Sequence, residues 1–137
     1  MVLKEEVEKI FLAVKVNLSR DGKVENVAIA DCAKVKGRVA IPLPWRNQEE
    51  QNVMLRQAVE YLQQNDCHQV FLIVEVWVNK DGVSEPAILI HGQHKNGAVH
   101  TIQAQVRGSS AESVTVDSQA RILVSSMLNL FKHTTLN

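Results

Sequence analysis

The sequence predicts an α+β fold in which helices cover one face of a mainly antiparallel sheet, and three observations predict it. Residues 11–42 align without a gap with residues 71–102, at an offset of 60 residues and with nine identities in 32 positions. Both copies open with an alternating apolar pattern that leads to an Asp-Gly pair, as in a β-hairpin. Both are followed by an apolar pattern of helical period. The predicted order is a helical turn and then two βββα repeats about a pseudo-twofold axis.

Length and composition favour a single domain over residues 1–137, made of repeats at about 11–66 and 71–133. The chain has 137 residues, 45% of them apolar, which is enough to bury one core. Its 15 basic and 15 acidic side chains cancel, so neither a nucleic-acid partner nor a membrane partner is predicted. Cys32 and Cys67 are too few for a disulfide-based secreted scaffold. Because the N-terminus also lacks an apolar signal segment, reduced thiols and a cytoplasmic location are expected.

The first repeat is expected to follow a short helical segment. Leu3, Val7 and Ile10 have the spacing of an amphipathic helix of one or two turns. From Phe11 the apolar period changes to two, which predicts a strand that ends at the turn Asp21-Gly22. Its alternating apolar side chains are Leu12, Val14, Val16 and Leu18.

Two more strands and a helix complete this repeat. The return strand is predicted at Lys23–Ala30 and the third strand at Lys34–Leu43, where two prolines end the sheet segment. Asn47, with Glu50 three positions later, indicates a capped helix that runs to Asn65-Asp66. Its apolar stripe consists of Val53, Leu55, Ala58, Val59 and Leu62.

The second repeat has the clearest turn signals. Strands are predicted at His68–Lys80, Ser84–His91 and Ala98–Arg107, with hairpin turns at Asp81-Gly82 and Asn96-Gly97. The Gly- and Ser-rich stretch that follows, Arg107 to Ser113, is predicted to be a loop.

A last helix is predicted after residues 114–116, which have the pattern of a short extended segment. Asp117 or Ser118 can cap this helix. Its apolar side consists of Ala120, Leu123, Val124, Met127, Leu130 and Phe131.

The two copies differ on one side of the predicted sheet, and that difference indicates where the protein binds. In the second copy this side, here called the second face, is apolar except for one carboxylate. Its members are Phe71, Ile73, Glu75, Trp77, Ile88 and Ile90. A sheet covered by helices on one side is expected to be polar on the other, so the second face requires a cover. A homodimer interface, the lumen of a curved sheet and a ligand pocket would each supply one.

Glu75 is the only charged member of the second face. It is expected either to pair with a basic residue, Lys15 being its repeat counterpart, or to lie exposed at a sheet edge. The alternative is an acidic anchor between aromatic walls, Phe71, Trp77 and Trp45, for a cationic apolar ligand.

Catalytic and metal-binding patterns are not found in the sequence, so no cofactor and no catalytic residue is predicted. The chain contains neither a nucleophile elbow nor a phosphate-binding glycine loop. His91, His94 and His100 cluster near a turn, but a two-residue turn would place only His91 and His100 on the same face, and no carboxylate or thiol completes a ligand set. No sequence feature argues for catalysis, and the question of whether the protein is an enzyme stays open.

A short segment resembles a known group of proteins. Ala58 to Tyr61, then Val70 to Trp77, then Glu85-Pro86, is similar to a pattern in uncharacterised small bacterial proteins carried by phages, integron gene cassettes and other mobile elements. The resemblance covers about a quarter of the chain and implies a prokaryotic source. The duplicated architecture also resembles the effector-binding domains of multidrug-sensing regulators, which is a likeness of fold alone.

These observations predict an interaction module that is not an enzyme and that forms a homodimer through the second face. The alternative is a small-molecule binding protein in which Glu75 and Trp77 line the pocket.

Overall fold

A computed structural model describes residues 3–107 and 110–114 of the chain. The elements are α1 (Leu3–Asp21), β1 (Val27–Cys32), β2 (Arg38–Pro42), α2 (Gln48–Gln64), β3 (Cys67–Lys80), β4 (Val83–His94), β5 (Val99–Arg107) and β6 (Ser110–Val114). The six strands form one sheet in the order β2-β1-β3-β4-β5-β6. Every neighbouring pair in it is antiparallel. The α+β class is therefore confirmed.

The first strand predicted by the repeat is a helix. Residues 11–19 continue the N-terminal helical turn as part of α1, whereas the aligned residues 71–79 lie in β3. Two segments with different secondary structure are not related by a pseudo-twofold axis, so the sequence likeness does not correspond to a βββα repeat in the structure. The described element order is αββαββββ.

Helical spacing explains α1. Its buried side chains are Leu3, Val7, Ile10, Val14 and Leu18, which recur every three or four residues and lie on one side of a helix. Val14 and Leu18 also fit an alternating pattern, which is why the sequence predicted a strand there. The exposed positions of α1 include Leu12 and Val16, which a strand at this place would have buried.

The two Asp-Gly pairs have different roles. Asp21 ends α1, and Gly22 follows with φ +75° while its N–H donates to the Leu18 carbonyl at 2.8 Å, as a glycine does after a helix. Asp81 and Gly82 have φ values of 53° and 80° and join β3 to β4, as the type I′ turn predicts. The hairpin predicted at Asp81-Gly82 is confirmed, and the hairpin predicted at Asp21-Gly22 is wrong.

The two helices of the described residues cover opposite faces of the sheet, which corrects the expectation that one face carries all helices. On the face opposite to the second face, here called the first face, α2 buries Leu55, Ala58 and Leu62 against a cluster that includes Leu72 and Val74. On the second face lies α1, with its own core of buried side chains. The described structure thus has two apolar cores, one on either side of the same strands.

The second helix follows its prediction. Asn47 caps α2, because its side-chain oxygen accepts a hydrogen bond from the Glu50 N–H at 2.8 Å. The Glu50 carboxylate bonds the Arg46 N–H at 2.8 Å instead of the N–H of Asn47. The preceding strand β2 ends at Pro42, as expected for a residue that cannot donate to the ladder.

Two details of the later strands differ from prediction. His94 bonds Ala98 across the β4–β5 connection, so this loop contains three residues, Lys95 to Gly97, where two were expected. Residues 110–114 form β6, although the segment Arg107 to Ser113 was predicted to be a loop. The predicted extended segment at 114–116 and the last helix lie outside the described residues, except for Val114, which ends β6.

The side chains of α1 pack tightly against Gly92 in β4. A Cβ atom added there would lie 2.7 Å from Val7 Cγ2, 3.1 Å from Phe71 Cδ1 and 3.3 Å from Leu3 Cδ1. Real Cβ atoms do not approach another carbon as closely as 2.7 Å. A side chain at position 92 would therefore push Val7 and α1 away from this strand, and glycine avoids that clash.

An ion-pair cluster joins the start of α1 to the edge of the sheet. Arg38 in β2 faces Asp31 in β1, and its Nε and Nη2 atoms donate to the two carboxylate oxygens at 3.0 and 3.2 Å. The Nη2 atom also donates to Glu6 of α1 at 3.3 Å. Partial burial alone would raise the pKa of Asp31, but hydrogen bonds from Arg38 and Gln69 outweigh that effect and lower it.

We expect Gly92→Ala to lower the free energy of unfolding by about 1 to 3 kcal/mol, because the added methyl group overpacks the α1 contact. Urea denaturation measures the change. Combining it with Val7→Ala, which removes the closest atom, should cost less than the sum of the two single changes. A Gly92→Ala protein as stable as the wild type would contradict the close packing.

We expect Asp31→Asn to destabilise the protein by about 1 to 2 kcal/mol at neutral pH. The pKa of Asp31 is lower in the folded state, so its contribution is complete above the unfolded value, about 3.9, and is lost as the pH falls through the folded value. The difference from wild type should therefore shrink below about pH 4. Glu60→Gln, on the exposed side of α2, is the control; a difference that is equal at pH 3 and pH 7 would contradict this role.

Candidate functional site

The structure separates the six residues of the second face into two groups. Phe71, Ile73, Ile88 and Ile90 are at most 3% exposed and pack in the core beneath α1. The cover that the sequence required over these four residues therefore comes from α1 of the same chain. Glu75 and Trp77 lie beyond the helix and are exposed.

A groove lies where α1 stops covering the sheet. The helix contacts mainly β4, β5 and β6, so the sheet surface toward β1 and β2 remains beside it. The connection from α1 to β1 closes the other side and leaves a cavity of about 520 Å³. Its apolar lining consists of Ile10, Ala13, Val14, Val24, Val27, Ile29, Pro42 and Ile73.

A smaller cavity of about 280 Å³ adjoins the groove and contains Glu75. The two cavities share Val24, Glu25, Asn26 and Pro42 in their linings. Glu25 and Glu75 are the charged residues among the described residues that line the smaller cavity. An apolar groove thus leads into an acidic end.

Asn26 fixes the wall between the two cavities. Its side-chain oxygen accepts a hydrogen bond from the Glu75 N–H at 2.8 Å, and its carbonyl accepts one from the Leu43 N–H at 2.9 Å. The connection before β1 is therefore held against β3 on one side and against the end of β2 on the other.

Basic residues also line the groove. Arg20 and Lys23 do so, together with Asp21. The Arg20 guanidinium donates to Asp21 and to Asn17, each at 3.1 Å, and the bond to Asp21 raises the pKa of Arg20. Part of its charge is therefore offset within α1.

The expected pair of Glu75 with Lys15 is not among the ion pairs of the described residues. Lys15 lies on α1, where its ammonium nitrogen is 5.4 Å from the centroid of the Phe11 ring. The alternative expectation for Glu75, exposure at a sheet edge, is confirmed. Trp45 is partly buried in the core beneath α2 and does not face Glu75 across either cavity.

Trp77 lies on a hairpin that extends beyond the rest of the sheet. The β1 ladder on β3 stops at Ile73, and the β5 ladder on β4 begins at Ala87. From there to the turn, β3 and β4 pair only with each other among the described strands. Trp77 is 66% exposed and Val83 is 58% exposed on this extension, so it presents apolar side chains beside unpaired strand edges.

The histidines near the β4–β5 turn are arranged differently from the prediction. Because the β4–β5 loop has three residues, His91 pairs with Thr101 and His100 pairs with Gly92, so the two histidines point to opposite faces, contrary to the sequence prediction. His91 is buried and bonds Thr101 Oγ1 at 2.7 Å and Gln93 at 3.0 Å. In the part of the chain that the structure describes, no three His, Cys, Asp or Glu side chains are grouped to hold a metal ion.

The sequence prediction missed the residues that shape the groove. Val24, Glu25 and Asn26 were assigned to a strand, and the helix wall was assigned to another strand. The signal that could have found them is the three- and four-residue spacing of buried positions up to Leu18, which makes the segment after Gly22 a helix-to-strand connection.

Comparison with known proteins gives no relative: no family model, no curated protein and no solved structure matches the chain. The resemblance to proteins of mobile elements therefore stays a prediction. Neither α1 nor α2, the helices in the described ranges, has the length and apolar character needed to cross a membrane.

Proposed function

We propose that this protein is a small-molecule binding module for an amphipathic cation. The observation that carries the proposal is the junction of an apolar groove of about 520 Å³ with a smaller cavity lined by Glu25 and Glu75. The apolar part of the ligand lies between α1 and β1, and its cationic group lies near the two carboxylates.

The dimensions and lining of the groove support this assignment. Ligand pockets in proteins commonly enclose 300 to 1,000 Å³ and combine apolar walls with a few polar groups. The groove lies in that range and takes its walls from a helix, a connection and three strands. Ile73 and Glu75, two of the residues that the sequence selected, each line one of the cavities.

The charge of the ligand follows from the smaller cavity. Two carboxylates that line the same small space repel each other, and a bound cation removes that repulsion. Because Glu75 is exposed, water and salt weaken the attraction, so the apolar contacts supply most of the binding energy. The two carboxylates then favour a cationic ligand over an anionic one.

We expect alkyltrimethylammonium ions, tested below their micelle concentration, to raise the melting temperature, more with longer chains. Alkylsulfonates of the same chain length should give a smaller rise, since binding to the native state alone increases stability in proportion to affinity. Glu75→Gln should weaken cation binding roughly threefold to tenfold in titration calorimetry. Added salt should weaken cation binding more in the wild type than in the Glu75→Gln variant.

Two controls make this test specific. Glu60→Gln removes an exposed carboxylate on α2 and should leave binding unchanged. Ala13→Phe fills the groove from the helix wall and should reduce the binding of cations and anions alike. Equal stabilisation by cations and anions in the wild type, or no stabilisation by either, would contradict the proposal.

A second candidate function is self-association through the β3–β4 hairpin, and the exposure of Trp77 favours it. We propose this narrower form of the homodimer because four residues of the original interface pack beneath α1. The edge of β3 beyond Glu75, whose own N–H donates to Asn26, offers backbone groups to another strand. If two copies pair antiparallel about a twofold axis normal to the sheet and centred on Trp77, this residue faces its own equivalent.

We expect light scattering after size exclusion to give the mass of two chains for the wild type and of one chain for Trp77→Asp. A charged residue at the centre of a small interface is desolvated without a partner, which costs more than the contact gains. Leu12→Asp is the matched control, because Leu12 is 61% exposed on α1, away from the hairpin. A wild-type protein that stays monomeric at high concentration would refute dimerisation.

A further inference from the structure

We propose that Cys32 and Cys67 form a reversible disulfide site that responds to low-molecular-weight disulfides. The two thiols lie at the last position of β1 and the first position of β3. They are partners in the ladder between these strands, so their side chains point to the same face of the sheet.

The strand register places the two residues at a distance that suits a disulfide. A register shift lies between Asp31 and Cys32, and just beyond the cysteine pair the Ala33 N–H donates to the Asp66 carbonyl at 3.0 Å. The two backbones thus stay in contact at the cysteines, and residues paired in antiparallel strands have Cα atoms about 4.5 to 5.5 Å apart. Disulfides span about 4.4 to 6.8 Å between Cα atoms, so little backbone movement is needed.

The surroundings of the thiols keep them together. Both side chains are 6% exposed and belong to the core beneath α2. Cys67 Sγ donates to the Gln69 carbonyl at 3.2 Å, and the two thiols are close enough to interact with each other. Burial is the main cause that raises the pKa of both thiols, and that of Cys67 rises to about 12.

These properties set the order of the chemical steps. Cys32 and Cys67 lie at the same end of the ladder, next to the exposed Ala33 and Lys34, so a local opening there gives solvent access to both thiols. Because burial raises the pKa of Cys67 to about 12, Cys32 supplies the first thiolate. The Cys32 thiolate attacks a disulfide RSSR, forms a mixed disulfide and releases one thiolate RS⁻. The Cys67 thiolate then attacks the Cys32 sulfur and releases the second RS⁻. The protons of the two protein thiols end on the two RSH products, so the protein loses two electrons and RSSR gains them.

The cross-link would close a loop that contains β2 and α2. Closing a loop of this length lowers the conformational entropy of the unfolded chain. Because the native geometry of the pair suits a disulfide, the cross-link adds little strain to the folded chain, and the folded state is stabilised. Folding should therefore favour disulfide formation, and the oxidised protein should melt roughly 10 °C above the reduced protein.

The test compares the disulfide equilibrium of the full chain in the folded state and in concentrated urea. Samples started from the reduced and from the oxidised protein are brought to equilibrium in buffers of oxidised and reduced glutathione. Intact mass after acid alkylation then gives the fraction that carries an internal disulfide, and peptide mapping locates it. We expect the folded chain to form the Cys32–Cys67 disulfide in a glutathione buffer that is on the order of 100-fold more reducing than the buffer in which the unfolded chain forms it.

Controls separate this site from unspecific oxidation. Cys32→Ser and Cys67→Ser can form only mixed disulfides with glutathione and should show no rise in melting temperature on oxidation. Because equilibrium is approached from both directions, slow access to the buried thiols does not affect the result. The same glutathione ratio for folded and unfolded protein, or a lower melting temperature of the oxidised protein, would overturn the proposal.

Discussion

The packing of α1 on the second face of the sheet is the contact on which the rest of the structure depends. It covers Phe71 and Ile90, which would otherwise form an open apolar surface, and it requires Gly92 beneath Val7. Since α2 already covers the other face, the central strands become buried on both sides. Such strands lose the alternation of polar and apolar residues, which is what the sequence of β3 shows between Val70 and Val74.

The position of α1 also creates the groove. Because the helix lies toward β4, β5 and β6, the connection from Gly22 to Asn26 has to return across the sheet to begin β1. A ligand in the space between them contacts the helix and the strand at once. Binding would therefore add directly to the free energy that holds α1 on the sheet, and ligand affinity and fold stability are linked through one helix.

Strand β1 connects the features proposed for function. Its first residue, Val27, lies at the groove, and its last residue, Cys32, pairs with Cys67. Between these ends, Asp31 holds Arg38 and, through it, Glu6 of α1. Asn26 holds the start of the strand against Glu75. A strand of six residues is thus fixed at both ends by polar contacts, which keeps the groove and the thiol pair in a defined geometry.

The features of the fold that depend on neighbours along the chain were predictable from the sequence. Asn47 caps α2, Pro42 ends β2 and Asp81-Gly82 turns β3 into β4, because each of these effects needs only a local backbone conformation. It also found Glu75 and Trp77, whose contrast with buried neighbours is visible in the alternating pattern. The sequence analysis did not identify Glu25 or Asn26, because these residues line the cavities only when α1 lies on the sheet.

Only the tertiary structure decided between strand and helix for residues 11–19. Val14 and Leu18 satisfy both periods, so local pattern leaves the choice open, and the likeness to residues 71–79 favours the wrong one. The helix prevails because it places Leu3, Val7, Ile10, Val14 and Leu18 on one side, and the sheet offers them a matching apolar face with room at Gly92 for Val7. Long-range burial outweighs local propensity, and the site beside the helix follows from that choice.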